Sequence, residues 1–170
     1  MDRRVKKTKK AIFAAYLQAK KAHPDLTPSV KEICAYADIN KTTFYRYFAD
    51  VDELSYALLD IAIHRLLIDG IDIEYLLTKP EIYFHHVLEN FRKCDDNVTS
   101  YPLHHSHIFA YEAERIIKEK LKETYPNKYD DVLCTFIAGG VSHFFLSQKE
   151  YDEKELKKVC CIIKAATKAL

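Results

Sequence analysis

A chain of 170 residues with a formal charge of +1 is long enough for one ordinary core, or for two small subdomains sharing an interface. Three glycines and five prolines argue against a turn-rich all-β protein and suit long helices with few breaks. No apolar run approaches the roughly 18 to 20 residues of a membrane span, so no membrane partner is expected. The basic N-terminus is not followed by the apolar segment and small-residue cleavage site of a signal peptide. The cysteines (Cys34, Cys94, Cys134, Cys160, Cys161) are odd in number and scattered. They form no disulfide framework, and a reducing cytoplasm is the expected compartment.

The small net charge hides an asymmetry. Residues 1–48 hold 11 Lys+Arg against 4 Asp+Glu, a net of +7, which leaves −6 on the rest. A basic head on an acidic body is the distribution of a DNA-binding part joined to a separate effector part. The plain alternative is a solvated charged terminus, and the motif within this stretch weakens it.

In chain order, a first helix is predicted from Arg4 to His23, with Val5, Ile12, Ala15, Tyr16 and Ala19 on one face. His23-Pro24-Asp25 stops it. Thr27-Pro28-Ser29 starts the next helix, with either hydroxyl as its cap. Ile33, Ala37, Ile39, Phe44 and Tyr47 then bury the elbow of a helix-turn-helix. Cys34 stands where the two helices cross and only a small side chain fits, and Asp38 takes the turn position that needs a left-handed backbone. The second helix of the pair, Asn40–Phe48, turns Phe44 inward and offers Lys41, Thr42, Thr43, Tyr45 and Arg46 outward. Asp50-x-x-Glu53 is a capping-box-like start for a long fourth helix carrying Leu54, Leu58, Ile61, Ala62 and Leu66, ending near Gly70.

Thr43-Phe44-Tyr45-Arg46-Tyr47-Phe48, followed by an acidic helix start and Leu54, resembles the TetR family of bacterial transcriptional regulators. The likeness covers residues 5 to about 60 closely, and beyond that it rests on length and helical pattern. Two positions depart from it: Asp38 stands where the family usually has Gly, and Val51 where it usually has a phosphate-touching Lys. The resemblance implies an all-α fold of about nine helices. Residues 1–48, with the start of helix four at 49–56, would bind DNA, and residues 57–170 would dimerise and bind a small-molecule effector. It further implies a homodimer on a palindromic operator, and repression by occlusion. Within that expectation Lys41 and Thr42 contact base edges, and Thr43, Tyr45 and Tyr47 reach phosphates by hydroxyl. Ser29 offers a hydroxyl and a helix N-terminus. Arg3, Arg4, Lys6 and Lys7 form a flexible arm. The rival expectation is a TetR-like coactivator or protein-interaction module that does not itself read DNA, which Val51 and the sparse basic contacts of helix four favour.

In the body, Thr78-Lys-Pro-Glu opens a helix with Ile82, Val87, Leu88 and Phe91 inward. Asp95–Pro102 is a polar break. Helices follow over 103–125, 129–149 and from 152 onward. Leu133, Phe136, Ile137, Gly140, Val141 and Phe144, interrupted by Gly139-Gly140, make one apolar face, and Leu156, Val159, Cys160, Ile163 and Thr167 make another. An intramolecular core explains each residue singly; the whole pattern is read as a dimer interface built on Phe136, Gly139, Gly140, Phe144, Leu156, Val159 and Ile163. Tyr83, Phe84, Phe91, Tyr101, Phe109 and Tyr111 are candidate lining for an effector pocket between helix four and the 129–149 helix; ordinary core is the plainer reading of each.

Histidines invite a metal or catalytic reading. His85-His86 are adjacent, point about 100° apart and cannot share one ion well. His104 and His107 have helical i, i+3 spacing, the single arrangement that keeps a metal open. No phosphate loop, Ser-x-x-Lys, His-Glu-x-x-His or Cys-x-x-Cys occurs. The expectation is therefore no enzyme, no cofactor and no metal.

Overall fold

Apolar spacing along the first twenty-odd residues dictates the first element. Helix α1 (Arg3–Ala22) buries Ile12, Ala15, Tyr16 and Ala19 on one stripe. The computed structural model describes residues 3–93, 106–147 and 152–168, and among them every regular element is helical, nine α-helices in all. Two compact units are present, dividing between Asp60 and Ile61. That lies a little beyond the 49–56 boundary expected from sequence, because the opening turns of the fourth helix belong to the head's own core.

In the first unit α1 packs on α2 (Val30–Ala37), and α2 on α3 (Lys41–Tyr45). Ser29 rather than Thr27 caps α2. Its side-chain oxygen accepts from the Glu32 N–H while the Glu32 carboxylate accepts from the Ser29 N–H, a reciprocal capping box. Asp38 closes α2 in the left-handed region at φ 52°, ψ 50°. Ile33, Cys34, Phe44 and Phe48 fill the elbow, with Phe13–Phe48 and Phe44–Phe48 ring centroids 5.7 and 6.0 Å apart. Helix α4 (Val51–Ile63) opens on Asp50, whose Oδ1 accepts from the Glu53 N–H at 2.8 Å, and Leu54 and Leu58 are buried. The returning Glu53 carboxylate accepts from Ala49 rather than from Asp50, a box displaced by one residue.

In the second unit α4 continues as a π-helical turn, His64–Ile68, closed by Asp69 N–H to His64 O at 2.8 Å. Helices α5 (Tyr75–Thr78) and α6 (Pro80–Lys93) follow. Helix α7 (Ser106–Thr124) forms a closely packed hairpin with α8 (Asp131–Ser147), and α9 (Glu153–Lys168) lies against α6 and α5. Helices normally leave their last carbonyls unpaired, and here Leu66, Leu67 and Ile68 are buried at that end. One stripe of α6 supplies the missing donors. Asn90 Nδ2 donates to the Arg65 and Leu66 carbonyls at 3.1 and 3.3 Å, Tyr83 donates to Leu67 at 3.0 Å, and His86 Nε2 lies 2.9 Å from the Asp69 carbonyl. Gly70 then turns the chain at φ +83°. A Cβ there would meet the His86 ring at 3.2 Å, so both torsion and space require glycine.

Several body expectations change. Ile82 points outward at 51% exposure, while its neighbours Tyr83 and Phe84 take the interior. Phe84, Phe91, Phe144 and Phe145 form one ring cluster joining α6 to α8, with centroids 5.3 to 6.0 Å apart. The faces assigned to a dimer are largely used within the chain. Leu133, Ile137 and Val141 are buried, and so are Leu156, Cys160 and Ile163 on the side of α9 that meets α6, while Val159 is half-buried. A Cβ on Gly139 would sit 3.3 Å from Glu114 Oε2, marking the close approach of α7, whereas Gly140 faces open space. The residues of that set left outward are Phe136 and Gly140, in line with Val132.

Tyr83→Phe leaves the Leu67 carbonyl buried without its donor. It should lower the unfolding free energy by about 1–3 kcal/mol, read as a lower urea midpoint with an unchanged m-value.

Candidate nucleic-acid interface

Helix α3 is held by its ends. The Asn40 side chain accepts from the Thr43 N–H at 2.7 Å, and after Tyr45 the chain stays wound through Tyr47 N–H and Phe48 N–H to the Phe44 carbonyl at 2.9 and 3.1 Å. The α-helical part is thus five residues, shorter than the Asn40–Phe48 helix expected. With Phe44 fully buried, the turn of about 100° per residue sets what faces out. Thr42 and Arg46, four apart, lie opposite Phe44, flanked by Tyr45 and Lys41, and all four are exposed. Thr43 and Tyr47 are half-buried toward the flanks. Sequence reasoning assigns Arg46 no contact of its own, though the signal is present: an i, i+4 partner of Thr42 on a helix whose buried residue is Phe44 shares its face.

Arg3, Arg4, Lys6 and Lys7 do not form an arm. They are the first turns of α1, with Thr8 Oγ1 donating to the Arg4 carbonyl at 3.0 Å. Arg and Lys are good helix formers and nothing in this stretch breaks a helix. Arg3, Lys6, Lys7 and Lys10 are exposed on the side away from Ile12. Lys9 differs, its ammonium lying 5.4 Å from the Phe48 ring centroid. Ser29 also takes a different role. Its hydroxyl donates to Glu32 Oε2 at 2.7 Å, and that bond, with the Ser29 N–H, holds the Glu32 carboxyl below the usual carboxylate range. An anion approaching Ser29 would meet a carboxylate at the first turn of α2. Burial pushes the Cys34 thiol up, keeping it an uncharged packing group. Val51 is half-buried at the start of α4 and offers no cation.

The aromatic pocket expected in the body does not assemble from its named residues. Tyr83, Phe84 and Phe109 are buried in the core, Phe91 is stacked on Phe145, and Tyr111 is 68% exposed; Tyr101 lies outside the described residues. A cleft of this unit lies elsewhere, at the α7–α8 corner, with a volume of about 440 Å³ and a lining that includes Leu121, Tyr125, Asn127, Tyr129 and Cys134. A second cavity of about 100 Å³ lies between α6 and α9 beside Phe84, His85 and Cys160. The first unit has a groove of about 460 Å³ between the end of α1 and α2, lined by His23, Leu26 and Tyr36.

His86 and His143 are engaged with the Asp69 and Gly139 carbonyls. No trio of His, Cys, Asp or Glu is placed to hold a metal among the described residues; the His104 position and the His107 side chain lie outside them. No described helix is long and apolar enough to cross a membrane. No protein-family model matches the chain, and no curated protein matches its sequence.

Ser29→Ala should cost about 1 kcal/mol of stability through the lost cap, measured by denaturant unfolding.

Proposed function

We propose that the chain is a TetR-like DNA-binding transcriptional regulator, acting as a repressor, that engages a pseudo-palindromic operator as a homodimer. The observation that carries this is the outward face of α3: Lys41, Thr42, Tyr45 and Arg46 all exposed around a buried Phe44, on a head of net charge +7 over residues 1–48. A helix presented this way suits the major groove, where hydroxyl and cationic side chains meet base edges. Thr42 and Lys41 are assigned to bases, and Arg46 joins them as a donor for guanine or a flanking phosphate. Tyr45, Tyr47 and Thr43 steady the backbone. The basic side of α1 supplies sequence-independent attraction and offsets the cation missing at Val51. The free thiols Cys34, Cys134, Cys160 and Cys161 suit a reducing cytoplasm.

Symmetric operators require a second copy, and the stripe left open for one on α8 is Val132, Phe136 and Gly140, at 75% and 68% exposure for the two side chains. Gly140 presents no side chain and lets a partner helix come close. Control by a small-molecule effector completes the reading. The alternative, a coactivator or interaction module that does not read DNA, is favoured by Val51 and by the absence of basic residues on α4.

Gel-shift and footprinting on the DNA flanking its own gene separate the two. Lys6→Ala should weaken binding to all sequences alike and reduce the salt slope by about 1, the value of a single phosphate that is no longer neutralised. Thr42→Ala should cost about 1–3 kcal/mol on the cognate site and relax base preference there. Equal losses on specific and random DNA from both variants would favour the coactivator. Sedimentation should show a dimer at micromolar concentration, and Phe136→Asp should convert it to a folded monomer.

A further inference from the structure

The α7–α8 corner holds more than a cleft. Tyr125 and Tyr129 stand edge to face with ring centroids 6.3 Å apart, and the Lys128 ammonium lies 5.2 and 5.5 Å from those two centroids. Both distances are within the roughly 6 Å over which a cation is drawn to a ring face. Behind the rings the α4–α5 loop brings two carboxylates. Tyr125 donates its hydroxyl to both oxygens of Asp72 at 2.8 and 2.9 Å, Tyr129 donates to Glu74 at 2.6 Å, and Lys128 pairs with Glu74. Two ring faces and two oriented carboxylates therefore surround one ammonium. We propose that this corner is a binding site for an organic ammonium ion, primary or quaternary, on an apolar body, and that Lys128 occupies the cage as an internal ligand.

Charge favours a cationic occupant. Asp72 and Glu74 bring two negative charges and Lys128 returns one. The other acids of the corner are already engaged: Asp131 is paired with Lys118 and Lys122, and Asp130 caps α8 by accepting from the Val132 and Leu133 N–H groups. The surrounding groups respond to this field. Lys128 is held above the usual ammonium range, chiefly by Glu74, and the Tyr125 phenol is pushed up to about 12, chiefly by Asp72. The plug is built to leave. Lys128 is more than half exposed and follows Asn127, a loop residue in the left-handed region at φ 63°, so its departure breaks no helix. Tyr125 and Tyr129 also line the neighbouring cleft. At about 440 Å³ it falls within the range of small-molecule pockets, and its wall sets Leu121, Pro126 and the buried Cys134, whose thiol burial keeps protonated, beside the polar Lys122, Asn127, Asp130 and Asp131.

An ammonium site here gives a chemical class to the effector of the regulator proposed above, but the site itself does not depend on DNA binding. Benzyltrimethylammonium is the probe, titrated into the free protein by calorimetry, with neopentylbenzene as an uncharged comparison. The wild type should bind it weakly. Lys128→Met, which keeps the stem and removes the charge, should bind roughly tenfold more tightly, because the internal ligand no longer holds the cage. Tyr129→Leu added to that variant should abolish the gain, and Glu74→Gln in the wild type should weaken binding. Thermal unfolding confirms that each variant is folded, and Lys128→Ala substitutes if Lys128→Met is not. Equal affinity for wild type and both Lys128 variants, or equal binding of the neutral compound, overturns the proposal. Tight ammonium binding without any change in DNA affinity upholds the site and counts against the regulator reading instead.

Discussion

A helix that ends against the core leaves its last carbonyls without helical partners, and the second unit is organised around meeting that demand. The π turn at His64–Ile68 brings Leu66, Leu67 and Ile68 into the core and leaves the carbonyls from Arg65 onward without helical partners. Leaving the buried Leu67 carbonyl unpaired costs on the order of 1–3 kcal/mol, a good share of a small domain's net stability, whereas the bonds to the Arg65 and Asp69 carbonyls lie at exposed positions. Tyr83, His86 and Asn90 meet the demand from one stripe of α6, and this fixes the position of α6 along the turn. The ring cluster then ties α6 to α8, and the apolar side of α9 covers it. Tyr83 serves this hydrogen bond from full burial, which raises its phenol far above the ordinary range and keeps it a neutral donor.

The head solves a different problem with more local means. Helices α2 and α3 are short, and short helices are marginal on their own, so α2, α3 and α4 are each capped at their start from within a few residues. Ser29 and Glu32 cap one another, Asp38 turns left-handed, Asn40 caps α3 and Asp50 caps α4. Because the caps are close in sequence, the outward face of α3 is set by Phe44 alone and needs no help from distant chain. The same economy commits the Ser29 hydroxyl proton to the Glu32 carboxylate.

In the body, surface and core compete for the same residues. Helix α8 carries apolar residues around much of its circumference and α9 along one side, and intramolecular packing takes Leu133, Ile137, Val141, Leu156 and Ile163. What faces out is the remainder, Val132, Phe136 and Gly140 on α8 and Ile162 on α9. At the α7–α8 corner the polar residues gather instead: Asp72 and Glu74 arrive from one loop and Tyr125, Lys128 and Tyr129 from another, some fifty residues apart. Ion pairs at exposed positions add little to stability, so the geometry of that cluster is more informative than its energy.

Helix positions, the all-α class and the helix-turn-helix elbow were legible in the sequence, because apolar spacing, caps and prolines act within a few residues of where they stand. The left-handed Asp38, the buried Phe44 and the start of α6 at Pro80 follow from such local rules. Tertiary structure alone decided which neighbour each apolar stripe would meet. Ile82 and Tyr83 are adjacent, and nothing local says that the tyrosine goes inside; the Leu67 carbonyl, sixteen residues away, decides it. For the same reason Tyr83, Phe84 and Phe109 go to the core while Tyr111 faces out, and the last two helices spend most of their apolar faces within the chain. Periodicity reports that a face is apolar, while the partner it meets is a property of contacts between residues far apart in the chain.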